Sequence, residues 1–473
     1  MLFNSPEFLV FLPIVFGLYW FVTHRHLRAQ NLLLLVASYV FYGWWDWRFL
    51  GLIALSTLVD FFVGIRIEEA DAKPRKKRWL WASLAVNLGI LGYFKYANFF
   101  IENWIAAWDS LGVTMHASTL QIILPVGISF YTFQTLSYSI DIYRGNLKAT
   151  RDPIAFAAFV SFFPQLVAGP IERATNLLPQ VTSPRTFTYE QGRDGMRLIL
   201  WGLFKKVVIA DSCATYVNYC FDNPADFGGI DLFIGAAFFA VQIYGDFSGY
   251  SDIAIGTAKL FGFELMSNFK FPYFSRDIAE FWRRWHISLS TWFRDYLYIP
   301  LGGSRVSSSK AIRNVFVIFL VSGFWHGANW TFVAWGAIHA LLFIPLFLRG
   351  TNRKHTSNVT AENKWLPTAR ECLQMGWTFI AVTIAWVFFR ADDLPSAMDY
   401  LSRMSHLTSV NLPGTKSIGL VGLMIVLDWV NRNNERLTLQ PLPVWARAPL
   451  SWMMFWLILR HLPAEPNFIY FQF

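Results

Sequence analysis

The chain has 473 residues, 55% hydrophobic and 18% aromatic, with 15% charged and 40 Lys+Arg against 31 Asp+Glu for a net charge of +9. A soluble protein carries about 25% charge and roughly 45–50% apolar residues, so disorder and a nucleic-acid-binding domain fit poorly. Three cysteines, Cys213, Cys220 and Cys372, rule out a disulfide scaffold and a Cys-rich metal site.

A bilayer core about 30 Å thick needs roughly 20 apolar residues in a helix. Such runs are read at 6–23, 31–46, 48–65, 79–101, 120–140, 198–221, 232–258, 371–389, 417–431 and 448–460. The run 314–348 is too long for one span and reads as two, a hairpin or a broken helix pair. The first run has no basic segment before it and no small-residue cleavage site, so a retained helix is expected and not a signal peptide. The fold class expected is all-α, a polytopic integral membrane protein with about 11–12 transmembrane helices. A single membrane-embedded domain over 1–473 is expected. It comprises N-terminal helices at 1–118, a core with the motifs at 119–350, a polar loop at 351–364 and C-terminal helices at 365–473.

Lys and Arg in short loops mark the cytoplasmic side. Loop 24–30 holds Arg25 and Arg28, and loop 66–78 holds Arg66, Lys73, Arg75, Lys76, Lys77 and Arg78. Segments 102–119 and 222–231 hold neither Lys nor Arg. Alternate threading puts the N-terminus outside, 24–30 and 66–78 inside, 102–119 outside and 141–152 inside. The apolar segment 153–172 breaks this alternation, because both its flanks are basic. Pro164, Gly169 and Pro170 interrupt a helix there. A re-entrant segment is expected, shielded by protein or facing a wet cavity. The basic stretch 259–313 is also expected to be cytoplasmic.

Among the histidines, His24, His26, His355, His406 and His461 fall in predicted loops or at ends, and His116 in an outer loop. All six read as solvated. His326 differs: it sits in SGFWHGANW inside an apolar run, between Gly323 and Gly327. An ionisable residue at membrane depth is a functional candidate, and imidazole suits a general base near neutral pH. A core histidine bonded between helices is the bland alternative. His286 lies in RDIAEFWRRWHISLSTWFRDYLYIPLGG. Trp282, His286, Leu289, Phe293 and Leu297 are spaced for one helical face, which predicts an amphipathic helix at a basic surface. Its arginines would either snorkel to lipid headgroups or hold a phosphate-bearing donor. His339 follows His326 by 13 residues. On one straight helix that is about 220° around, so core packing is expected for His339 unless the chain breaks near Gly327. Asp246, Ser248, Tyr250, Ser251 and Asp252 stand within an apolar span. Two intramembrane carboxylates six residues apart point to a polar cavity or to an ion pair with Lys or Arg.

The patterns HExxH, GxxxxGK(S/T) and GxSxG are absent. Metal hydrolysis, P-loop chemistry and the usual serine-hydrolase design are therefore unsupported. Buried histidines, a basic cytoplasmic face and a polar cavity fit acyl transfer from a phosphate-bearing donor.

The blocks FWRRWHISLSTWFRDYLYIPLGG and GFWHGANWTFVAWGAIHA resemble the membrane-bound O-acyltransferase family, in its bacterial alginate O-acetyltransferase-type branch. PQLVAGPIER, FSGYSDIAIG and the terminal FIYFQF extend the likeness from about residue 120 to the end. The resemblance implies a helical membrane fold, with re-entrant and amphipathic segments around a central cavity open to both sides. It implies that His326 is the catalytic histidine and His286 the second polar catalytic position. It implies acetyl-CoA as acyl donor, its phosphates near Arg283, Arg284 or Arg294, and no metal. Asp246, Ser248, Asp252, Asn329 and His339 would be polar cavity residues. The expected setting is a multi-pass protein of the bacterial inner membrane, in contact with lipid and not with nucleic acid. Its partners would be an exported polysaccharide and a periplasmic acetyltransferase or acceptor protein.

Two other classes compete. Broken helices and intramembrane carboxylates also describe secondary transporters, although no paired interruption in two halves is visible. A non-catalytic subunit of a polysaccharide export or modification complex is the other.

Overall fold

The computed structural model describes residues 1–115, 118–120, 122–356, 358–406, 415–436, 439, 442–463 and 468–469. Among these residues the regular structure is helical throughout, with no strand. The outer-loop histidine His116 and the chain from residue 470 lie outside the described residues. Each apolar run read from the sequence contains helix, although 120–140 is helical only from Ile128, and the helices are more broken than the runs. Among the described residues five stretches are long and apolar enough to cross a membrane: Leu27–Glu69, Lys73–Asp109, Gly229–Leu260, Trp330–Leu348 and Ala369–Arg390. The first, 43 residues long, supplies two helices. Asp46 is extended there, and its carboxylate accepts the Arg48 N–H at 2.9 Å, starting a new helix. Other runs fall on shorter pieces such as Pro6–Gly17 and Tyr189–Leu203, so length alone finds fewer spans than the 11–12 expected from about 20 apolar residues each.

Two compact units emerge, Met1–Gly192 with Thr257–Leu265, and Arg193–Gly256 with Met266–Phe473. The first holds a polar knot among apolar helices. Buried Asp60, on Leu50–Glu69, accepts hydrogen bonds from Asn87 Nδ2 and Ser139 Oγ, each at 2.6 Å, and from Ser83 Oγ. These donors come from Lys73–Leu91 and Ile128–Arg144, so one carboxylate ties three helices. A buried carboxylate needs such donors, because its desolvation is otherwise uncompensated. Segment 153–172 becomes two short buried helices, Pro153–Ser161 and Phe163–Leu166. Nine residues of helix reach about 14 Å, less than half of the roughly 30 Å core.

In the second unit, glycines allow close backbone approach. A Cβ at Gly202 would meet the Gly249 carbonyl oxygen at 2.5 Å, and one at Gly249 would meet the Gly202 oxygen at 2.7 Å. Small residues let membrane helices cross this closely. Just beyond Gly202 a π-helical turn, Phe204–Ala210, presents both Lys205 and Lys206 to the Gly229–Leu260 helix. The run 314–348 forms a hairpin, Ser308–His326 and Trp330–Leu348, broken at Gly327. Asn329 starts the second helix by accepting the Thr331 N–H at 3.1 Å.

Candidate functional site

The segment around His286 is not the single amphipathic helix that its spacing predicted. Ile278–Arg284 stops, and Ile287–Phe293 begins after His286, which has φ +43°. The left-handed region costs an L residue about 1–2 kcal/mol, so the surroundings must impose it. They do so through a neighbouring strip of backbone. The Ile287 N–H donates to the Asn268 carbonyl oxygen and the Lys270 N–H to that of Arg284, both at 2.9 Å. The Ile287 amide that would have continued a helix is thereby diverted.

The turn buries the His286 ring, 1% exposed, against Phe247 (ring centroids 4.7 Å), Phe269 and Trp325. His326, the last residue of Ser308–His326, packs against Trp325, Trp335 and Phe389. The two imidazoles are brought together, with centroids 6.2 Å apart. The hairpin break after His326 makes this possible, since it ends the helix with the histidine at its tip. His286 Nδ1 lies 3.0 Å from Asn268 Oδ1. Outside the membrane-length helices, burial pushes its imidazole down to about 3, so the ring is neutral at physiological pH.

The other candidate residues divide. His339 does not join the pair. It is fully buried, accepts the Trp282 indole N–H on Nδ1 at 3.3 Å, and is screened from His326 by Trp335. The break at Gly327 leaves it on the second helix as a packing residue. Asn329 is occupied as the helix cap and donates to the Asp392 carbonyl oxygen at 2.7 Å. Asp246 and Asp252 are ion-paired: Lys206 meets Asp246 at 2.8 Å, and Lys205 meets Asp252 at 2.7 Å and Ser248 at 2.8 Å. Lys205 and Asp252, with Trp201, Tyr244, Asn431 and Glu435, line a small polar pocket. The two lysines were not singled out by the sequence reading, although two cations inside an apolar run were a usable signal.

The arginines are engaged within the fold. Arg283 donates to the carbonyl oxygens of Asn352 (2.9 Å) and His355 (3.1 Å). Arg284 pairs with Glu280 at 2.7 Å, and exposed Arg294 pairs with Asp295 at 2.6 Å. Burial alone would raise the Glu280 carboxyl, but hydrogen bonds from Arg276 and the nearby Arg284 charge hold it below the usual range. Asn268, which carries the contact to His286, is a site residue that the sequence reading missed.

The chemistry available is that of two buried imidazoles in an aromatic pocket. The model of the membrane-bound O-acyltransferase family matches residues 147–362. A probable alginate O-acetylase AlgI of Pseudomonas putida is 43% identical over 431 residues, covering 90% of this chain and 84% of that protein. The peptidoglycan O-acetyltransferase of Helicobacter pylori is 37% identical, over 87% of this chain and 81% of its own. The teichoic acid D-alanyltransferase of Bacillus subtilis is 29% identical, over 56% of this chain and 66% of its own. With such identity along most of its length and a multi-pass helical fold, this chain belongs to the membrane-bound O-acyltransferase family and is a membrane O-acyltransferase.

Proposed function

We propose that this enzyme takes an acetyl group from cytoplasmic acetyl-CoA and delivers it across the bacterial inner membrane for O-acetylation of an exported, alginate-like polysaccharide, through a periplasmic acetyltransferase or acceptor protein. The observation that carries this reading is the 6.2 Å pairing of the His286 and His326 rings in a buried pocket. The names borne by the similar alginate and peptidoglycan enzymes support acetyl as the group and a polymer hydroxyl as its destination.

In this mechanism His326 removes the proton of the acceptor hydroxyl as that oxygen attacks the thioester carbonyl carbon. The tetrahedral oxyanion collapses, the C–S bond breaks, and the proton held by His326 passes to the departing thiolate. General-base help of this kind contributes on the order of 10²–10⁴-fold. His286 orients the reacting groups beside it. Arg294, exposed beside the site's short helices, remains a candidate for the donor's phosphates, exchanging Asp295 for phosphate.

The test uses purified full-length protein with labelled acetyl-CoA. Acetyl transfer, or thioester hydrolysis with water as acceptor, is expected for the wild type and lost in a folded His326→Ala variant. Full activity in that variant would overturn the assignment of His326.

A further inference from the structure

We propose that Asn268 is a positioning residue that locks His286 in the tautomer carrying hydrogen on Nδ1, so that His286 presents a bare Nε2 lone pair to the reaction and not an N–H. The proposal rests on the acyl-transfer reading above and goes beyond it, because it decides what the second imidazole can do.

The neighbours of the Asn268 amide fix its orientation. A backbone N–H can only donate, and the Ser288 N–H points at Asn268 Oδ1 from 3.3 Å. That atom must therefore be the oxygen. Ser288 Oγ donates to the same oxygen at 2.9 Å, while Asn268 Nδ2 on the other side donates to Ser251 Oγ at 3.1 Å. The amide is thus pinned at both ends, by the segment after His286 and by the Gly229–Leu260 helix. His286 Nδ1, 3.0 Å from that oxygen, must carry the hydrogen, since two acceptors would repel. The neutral ring has one hydrogen, so Nε2 is left as an acceptor.

Nothing among the described residues hydrogen-bonds to His286 Nε2, although it is buried. A buried acceptor left without a partner, on a ring whose other nitrogen is so firmly held, points to a role in meeting a substrate donor. The ring meets Phe247 from Gly229–Leu260, Asn268 and Phe269 from the strip before Ile278, Ser288 from Ile287–Phe293, and Trp325 and His326 from Ser308–His326. His326 is the titratable group among these. Neutral His286 in this tautomer cannot donate to the oxyanion. Its work is to accept a hydrogen bond from a hydroxyl or N–H entering the pocket, and so to orient it for His326.

Two measurements on the full-length protein in lipid bilayers test this. Nitrogen resonances of isotope-labelled histidine, assigned by their loss in His286→Asn, should show His286 at neutral pH with Nδ1 protonated and Nε2 bare. A proton on Nε2 would overturn the proposal without any change to Asn268. Thiol release from acetyl-CoA is then followed against pH. Asn268→Asp places a carboxylate on Nδ1–H and favours imidazolium. The acidic limb of the rate should move up by about 1–3 pH units, and the neutral-pH rate should fall on the order of 10–100-fold, the range for partners that fix a histidine tautomer. A limb that superimposes on the wild type, with Nδ1 still protonated in the spectrum, would refute positioning by Asn268. If His326→Ala and His286→Asn release thiol at the wild-type rate, or the wild type releases none, the acyl-transfer reading fails instead, and the nitrogen spectra still decide the tautomer.

Discussion

Arg283 and Arg294 lie in one basic stretch, yet their surroundings set them different tasks. Arg283 satisfies two carbonyl oxygens of the loop before Ala369, and Arg294 is exposed beside Asp295. Arg283→Ala leaves those acceptors short and should destabilise the protein by about 1–3 kcal/mol, read as a lower unfolding temperature in detergent. Arg294→Ala should stay within about 0.5 kcal/mol in the same assay and act instead by raising the donor KM. Acid should also weaken the fold through His286. Burial holds the folded-state His286 pKa near 3, against about 6.5 in the unfolded chain. Between those values the unfolded state binds more protons, so His286 contributes stability above the upper value that is lost as pH falls through the window. The unfolding temperature of the wild type should therefore drop more steeply on acidification than that of His286→Asn; parallel curves would show that His286 does not titrate on unfolding. His286 and His326 were legible in the sequence because ionisable side chains inside apolar, aromatic motifs stand out. Asn268 was not, because its task depends on a turn formed 18 residues later and nothing in SNFKFPY marks it.

At the scale of elements, the hairpin that carries His326 depends on contact without side chains. A Cβ at Gly323 would run into the Phe332 carbonyl oxygen, and one at Gly336 into that of Phe319. Backbone atoms cannot rotate away as a side chain can, so Gly323→Ala or Gly336→Ala should destabilise by about 1–3 kcal/mol. Each should also lower transfer by moving the helix tip that holds His326, as unfolding curves and rates on the same preparations would show. The hairpin was foreseen from the length of its apolar run. The break at His286 was not, and the reason is physical. The spacing of Trp282, His286, Leu289, Phe293 and Leu297 is continuous across the break, because each short helix keeps its apolar residues inward. Periodicity reports burial, and a local diversion of one amide to Asn268 leaves it unchanged.

Over the whole chain, composition and charge placement carried the fold class. Apolar runs predicted helices, and helices occupy those positions save at the start of the run 120–140, where helix begins at Ile128. Their ends, caps and π-helical turns were not predicted, since they depend on single side chains such as Asp46 and Asn329. Lys73–Asp109, 37 residues long, is about 55 Å of helix at 1.5 Å per residue, well over the roughly 30 Å core. Its two ends must lie on opposite sides if it crosses. Cysteines placed at Lys76 and Ser110 should react with an impermeant reagent from the cytoplasmic and the outer side respectively. Labelling of both from one side would contradict the threading from the basic loop.

The left-handed backbone at residue 286 has a bearing on how this enzyme can vary. Glycine, asparagine and aspartate enter that conformation readily, whereas β-branched and bulky residues resist it. A saturation library at 286 should therefore be sorted twice. Membrane insertion and folding would first enrich Gly, Asn and Asp alongside His, and valine and isoleucine would be depleted before any chemistry is assayed. Activity would then select among the survivors for a neutral acceptor of the right reach. The accessible alphabet at this position is set as much by one torsion angle as by the reaction it serves.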